Sequence, residues 1–430
     1  MTTKENPIEI LAARLQSLPS SIRWLYSQQE VIQATALGEA PERGPWSRLA
    51  DRLGVLSSGL GLARMMAATV NLTLLLALYA RQTLARSVPA DGALFVGIHA
   101  LREPELVRQF AAMQARPVLH LDERGLTDFF RQAHVPLLAL LREMRSVWSD
   151  VWEHLHPSRP SEGLDKIYLL SFFLKYGHRC AHLRAWLRHY LSQPGALPVV
   201  AWTTASYLAH AAAMVGAEII YMEHGFQRHG LIYPDFARSI CFNGFDAEHL
   251  RRRLPRCAVT VVSEPVKHLA TRRVAAVAGI DWAPDGFDLI RPFIDWALRN
   301  DLPVVVRKHP VDASGYWEQW RRVAGVEIAE GDLSFREFLD RIRPRLLASW
   351  FSTALYDALV KGVVPVTVTP EDHEAALDCV FPFRELSLCW PEHEEVAQKL
   401  LDDDRLRAQF LADSCARAMG SSARIATPFR

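Results

Sequence analysis

From Ala93 onward the chain repeats one pattern: a short, mostly apolar run, then a longer stretch with apolar residues at helical spacing. The runs "ALFVGIH" (93–99), "RPVLHLD" (116–122), "LPVVAWTT" (197–204) and "AEIIYMEHG" (217–225) come first. Each is too short for a helix and apolar on both faces, which predicts a buried strand. The stretches between them, "EPELVRQFAAMQA", "VPLLALLREMRSVWSDVWEHL", "IYLLSFFLKYGHRCAHLRAWLRHYLS" and "ASYLAHAAAMVG", predict helices, the last ending on Gly216. Strands alternating with helices require a parallel sheet covered on both faces. "SICFNGF", "EHLRRRL" and "AVTVVSE" then carry the chain out of this unit.

A second series of the same kind starts near Pro265. Its predicted strands are "RVAAVAGID", "LPVVVRKHP", "VEIAE", "RLLASW" and "VVPVTV". Its predicted helices are "GFDLIRPFIDWALRN", "YWEQWRRVAG", "SFREFLDRIRP", "STALYDALVKG" and a terminal stretch from Glu394 to Gly420. Ahead of residue 89 only helical patterns occur. The expected fold is therefore α/β: two tandem Rossmann-like domains facing each other across a cleft, with a helical N-terminal extension. The expected division is 1–88 for the extension, 89–262 and 263–415 for the two domains, and 416–430 for a tail. A chain of 430 residues is long enough for two such cores.

Charge narrows the partners. The chain has 49 Lys and Arg against 48 Asp and Glu, a net charge of +1, so no bulk field draws it to nucleic acid. Six scattered cysteines without a CxxC pair argue against a zinc-cysteine site or a disulfide framework, and for a reducing compartment. "MTTKENPIEI" lacks the apolar core of a signal peptide. "MMAATVNLTLLLALYA" (65–80) is apolar but interrupted by Asn71 and Thr73 and ended by Arg81, short of the ~20 residues a spanning helix needs. It reads first as a buried helix and second as a helix lying on a membrane surface, with the cations of "LYARQTLARS" facing anionic lipid.

In open α/β sheets ligands sit at the carboxyl ends of the strands, and three such ends carry chemistry here. The first is Glu223-His224-Gly225. Both titratable groups can accept a proton near neutral pH, and the glycine permits a sharp turn or close approach. The second is Arg307-Lys308-His309-Pro310, where two cations and an imidazole suit a phosphate and the proline keeps His309 extended. The third is Ser352-Thr353 at the start of a helix, a pair that can cap the helix and also bind phosphate at its positive end. Glu374, after "VVPVTVTP", is placed by position near a ribose. His229, in a second His-Gly, and His99, at a strand end, are candidates for the acceptor side. Asp122 also ends a strand, and "RRRLPR" (251–256) reads first as a solvated helix face.

The order and placement of these motifs resemble GT-B glycosyltransferases. Over roughly residues 90 to 415, "MEHG", "RKHP" and "FSTALYDAL" are similar to the acidic-Gly, His-Pro and Ser/Thr motifs of bacterial sialyltransferases, polysialyltransferases and capsule Kdo transferases. The resemblance implies an inverting glycosyltransferase (EC 2.4 class) that moves a sialic acid or Kdo-type sugar from a CMP-activated donor to a hydroxyl of a surface glycan, as in capsule or lipopolysaccharide synthesis. It implies Glu223 as base, His309 as acid or phosphate ligand, and Ser352 and Thr353 on the CMP phosphate. One position departs: the second acidic residue is His224 here, and "EHG" with "RKHP" is also similar to teichoic-acid glycerophosphotransferases. Glu223 and His224 both stay open as the base, and a CDP-polyol phosphotransferase stays the alternative to the favoured CMP-sugar enzyme. A nucleotide-binding scaffold of a glycan assembly complex and a GT-B-shaped epimerase are the further rivals. No cofactor and no metal are expected, because no Asp-x-Asp follows a strand and "DDD" (402–404) falls in the helical tail. Expected partners are a nucleotide sugar and a glycan or glycolipid acceptor, with no nucleic acid. The expected location is cytoplasmic, with peripheral contact at the inner face of the membrane.

Overall fold

The computed structural model describes residues 6–27, 60–80, 93–96, 118–121, 135–155, 166–192, 199–201, 207–222, 226–261, 271–279, 287–309, 315–329, 333–350, 352–368 and 379–420, with single positions between 32 and 49. The chain divides into two compact units. One takes Met1–His224, Arg228–Cys241 and His249–Thr260, and the other Gly225–Gln227, Phe242–Glu248 and Val261–Arg430.

The first unit is built on a six-stranded sheet of β1 (Ala93–Val96), β2 (Val118–Leu121), β3 (Val199–Ala201), β4 (Ile219–Met222), β5 (Arg238–Cys241) and β6 (Ala258–Val261), in the order β2-β1-β3-β4-β5-β6. The pairs from β2 through β5 are parallel, a doubly wound pattern. β5 and β6, expected to lead the chain away, extend this sheet instead. Their short segments mix exposed and buried positions, which is why "ARSICF" lacks the apolar signature of an inner strand.

The apolar stretch predicted as a buried helix is a helix, Leu60–Ala80. Ala67, Asn71 and Leu75, spaced four apart, form its buried stripe. Asn71 donates to the carbonyls of Ala67 (3.2 Å) and Phe173 (3.3 Å) and accepts from the amide of His178 (2.8 Å), which ties it to the helix Lys166–Leu191. Gly177 makes room for this: a Cβ there would lie 2.9 Å from Asn71 Oδ1 and 2.7 Å from the Phe173 ring. Among the described residues no helix is long and apolar enough to cross a membrane.

The N-terminal helix Pro7–Gln16 starts where its sequence says it should, with Asn6 Oδ1 accepting from Ile8 N (3.0 Å) and proline in the first turn. Gln16 fastens it to the rest of the unit by donating to the Tyr233 carbonyl (2.9 Å) and accepting from the Tyr233 amide (2.8 Å).

The second unit has β7 (Ala275–Ala278), β8 (Val304–Arg307), β9 (Val326–Ala329), β10 (Leu346–Ser349), β11 (Val364–Thr367) and β12 (Leu388–Cys389), ordered β12-β11-β10-β7-β8-β9 with parallel neighbours. Read from β9, this is the 3-2-1-4-5-6 order of dinucleotide-binding sheets, with its switch point between β7 and β10. Every residue of β7, β8, β10 and β11 is buried, as a sheet covered on both faces demands. Pro365 is tolerated inside β11 because Val364 and Val368 donate toward β10. Its missing donor faces the other side, where β12 pairs only with Val366 and Thr367.

Candidate functional site

The second unit brings two of the predicted strand ends onto one edge of one sheet. β8 ends at Arg307, β7 at Ala278 and β10 at Ser349, and the three strands are neighbours. At ~4.8 Å per strand, the ends of β8 and β10 lie about 10 Å apart across β7. Cross-links fix their alignment. Gly279 N donates to the Arg307 carbonyl (2.9 Å), and Ser349 Oγ donates to the Ala278 carbonyl (2.9 Å). Gly279 sits so close to the next strand that a Cβ would lie 3.4 Å from His309 N and 3.3 Å from Trp317 Nε1. Motif reading missed this glycine. Its signal was its place after the first strand of the series.

Beyond β8 the side chains diverge. Arg307 turns into the unit: it is buried, donates to the Leu333 carbonyl (2.5 Å) and lies over the Phe335 ring (5.7 Å). Burial lowers its pKa. Lys308 is half-buried and pairs with Glu318 at 3.5 Å, and Glu318 is also held by Arg321 at 2.6 Å. Those contacts, first the bond from Arg321, keep the Glu318 carboxyl below its ordinary pKa. His309 follows directly, partly exposed. Pro310 lies outside the described residues.

Beyond β10, Ser352 is the N-cap of the helix Thr353–Val360, its Oγ accepting from Ala354 N at 3.2 Å. Thr353 is the first helical residue and is exposed. The two hydroxyls are thus in different situations: one is bonded to the backbone, and the other stands at the positive end of the helix. Together the β8 and β10 ends offer an ammonium, an imidazole, a hydroxyl and a helix N-terminus, a set suited to an anionic group.

In the first unit, β4 ends at Met222. Glu223, His224 and Gly225 lie outside the described residues, as do His99, Asp122 and Glu374. His229 is described, and its neighbours are Glu9 (Nδ1 to Oε2, 3.3 Å) and His249 (ring centroids 5.5 Å apart, 87° between planes). Arg253 donates to its carbonyl at 2.7 Å. All three residues of the stretch "DDD" are exposed. Asp403 caps the last helix by accepting from Arg405 N (2.8 Å) and Leu406 N (2.9 Å). Asp402 pairs with Arg273 (2.9 Å) and Asp404 with Arg345 (3.1 Å).

No family model matches the sequence, and neither does any curated protein. Solved structures do show similarity in fold. A UDP-GlcNAc 2-epimerase from Methanocaldococcus jannaschii, in complex with UDP-GlcNAc and UDP, is 11% identical over 72% of this chain and 91% of that one, with a TM-score of 0.41. The glycosyltransferase SnogD from Streptomyces nogalater is 12% identical over 76% and 96%, with a TM-score of 0.42. MnaA of S. aureus, solved with UDP, is 12% identical over 76% and 92%, with a TM-score of 0.44. Identities and scores this low leave activity to be argued from the residues.

Proposed function

We propose that the chain is an inverting glycosyltransferase that uses a CMP-activated sialic acid or Kdo-type donor and a hydroxyl of a surface glycan. The supporting observation is the pairing of Lys308 and His309 with the Ser352–Thr353 helix start, at strand ends on both sides of β7. The acceptor oxygen bonds to the anomeric carbon from the face opposite the phosphate, and the carbon–oxygen bond to CMP breaks. Glu223 or His224 takes the acceptor's proton. His309 protonates or hydrogen-bonds the departing phosphate, while Thr353 and the helix dipole hold its charge. A monophosphate leaving group can be handled this way without a divalent ion. His224 in place of an acidic residue favours the second reading, transfer of a polyol phosphate from a CDP-polyol.

Incubation with CMP-sialic acid, CMP-Kdo, CDP-glycerol and UDP-sugars, with release of the nucleotide as readout, tests this. CMP release from a CMP-sugar is expected. Turnover of CDP-glycerol alone selects the second reading, and response to UDP-sugars alone, or to none, sinks both. The His309→Ala variant is expected to lose about 10²- to 10⁴-fold in turnover with an unchanged circular dichroism spectrum. Peripheral membrane contact belongs to the same proposal, supported by Met65, Met66 and Leu76 exposed along the helix Leu60–Ala80. Flotation with anionic vesicles is expected to carry the protein upward, and its absence from the floated fraction removes the lipid contact.

A further inference from the structure

Away from these strand ends, the first unit gathers three metal-ligating side chains from distant parts of the chain. Glu9 lies on the helix Pro7–Gln16, His229 follows β4, and His249 lies in the helix Gly244–Arg253. Each presents one ligand atom, and the three atoms lie within 4.8 Å of one another.

His249 is fully buried, and neither of its ring nitrogens has a hydrogen-bond partner. A neutral imidazole carries both a donor and an acceptor, and buried groups of this kind are almost always satisfied. The aromatic neighbours, His229 at 5.5 Å and Tyr233 at 5.9 Å, meet the ring edge to face and satisfy neither nitrogen.

Two ligands at ~2.1 Å from a tetrahedral ion are about 3.4 Å apart. Glu9 Oε2 and His229 Nδ1 already stand at 3.3 Å. The charges nearby are mixed. Arg252 reaches Glu9 Oε1 at 4.0 Å, and Arg253 donates to the His229 carbonyl at 2.7 Å. The carboxylate of Glu9 is the counter-charge that lets a cation sit beside them. Two imidazoles and one carboxylate suit zinc and its neighbours, whereas magnesium and calcium require oxygen ligands.

We propose that Glu9, His229 and His249 bind one divalent cation of the zinc class, which fastens the N-terminal helix to the segment after β4. The same two elements are already joined by Gln16 and Tyr233, so the ion adds a second clamp about two helical turns away along the helix. This role needs no part in sugar transfer, and it gives His229 a partner other than the acceptor.

The test uses the untagged full-length chain, stripped with a chelator and titrated with cobalt(II). One equivalent is expected to give the intense visible bands of a four- or five-coordinate site. Zinc should displace the cobalt and raise the melting temperature, while magnesium does neither. Because His249 is buried, the variants are Glu9→Gln and His229→Asn at the partly exposed ligands. Both should keep the circular dichroism of the parent and weaken cobalt binding more than the roughly 10- to 100-fold that follows loss of an outer-shell partner. A wild-type spectrum identical to that of hydrated cobalt overturns the proposal, as do variants that bind cobalt like the parent. Neither outcome depends on which donor sugar is used.

Discussion

At the level of single residues, neighbours at the strand ends differ in what they do for the fold. Ser352 and Thr353 are adjacent and chemically alike, yet only Ser352 Oγ accepts from the helix backbone, at 3.2 Å to Ala354 N. Ser352→Ala is therefore expected to cost about 1 kcal/mol of stability, whereas Thr353→Ala should leave stability within ~0.5 kcal/mol and raise the KM for the donor. Urea denaturation together with donor titration separates the two effects. Equal stability losses would show that the capping assignment is wrong. Arg307 and Lys308 also differ, Lys308 pairing with Glu318 at 3.5 Å. The guanidinium of Arg307 is buried against the Leu333 carbonyl and the Phe335 ring, so it supports the loop before the helix Phe335–Ile342.

At the level of elements, helix ends are where a local rule decides stability. The helix Phe287–Arg299, which leads into β8, ends with Leu302 N donating to the Ala297 carbonyl (2.9 Å) and Asp301 N to that of Leu298 (3.2 Å). This paired closure needs a left-handed residue, and Asp301 supplies it at φ 52°. The helix Thr353–Val360 closes the same way, with Gly362 at φ 74°. Asp301→Gly should therefore gain roughly 0.5 kcal/mol, since relief of the strain is partly offset by a freer unfolded chain. Gly362→Ala should lose about 1 kcal/mol. Both shifts are readable in urea midpoints, and the same sign for both would refute the assignment. Sequence patterns reveal the elements built on wholly buried apolar quartets, such as "VVVR" and "LLAS", because a strand covered on both faces has a composition no loop shares. They miss β5, whose Arg238 and Ser239 break the apolar run, and β12, which is two residues long. The segment Tyr316–Arg322 is a 3₁₀ turn rather than the expected α-helix. Trp317 and Trp320, three apart and both buried, satisfy either period. The positions of Lys308 and Ser352 just past β8 and β10 are legible, because each follows a wholly buried strand. The cluster of Glu9, His229 and His249 is not, because no spacing rule joins positions so far apart in the chain.

At the level of the whole molecule, the two units differ in how they carry buried titratable groups. Among the described residues every buried histidine, namely His154, His178, His182, His210 and His249, belongs to the first unit. His178 is pushed down to about 3, first by burial and then by Arg179 and His182. His210 is also pushed to about 3, by burial and Arg23, against the opposing pull of the Ile232 carbonyl and Asp235. Both are neutral in the folded state and ordinary histidines in the unfolded chain. As pH falls below the unfolded value near 6.5, the unfolded chain takes up protons that the folded unit refuses. Stability is therefore intact above about pH 6.5 and falls steadily down to the folded values near 3. By pH 5 each histidine removes on the order of 2 kcal/mol, a large part of the 5–15 kcal/mol typical of a domain. Calorimetry is expected to show an acid-sensitive transition, shifted down by several degrees between pH 7.5 and 5. Limited proteolysis at pH 5 should place the first cuts in Met1–His224 rather than in Val261–Arg430. His210→Phe, which fills the site without a proton to gain, should flatten the pH dependence even if it lowers stability at neutral pH. A pH profile unchanged by that substitution would show that His210 is not the group the acid acts on.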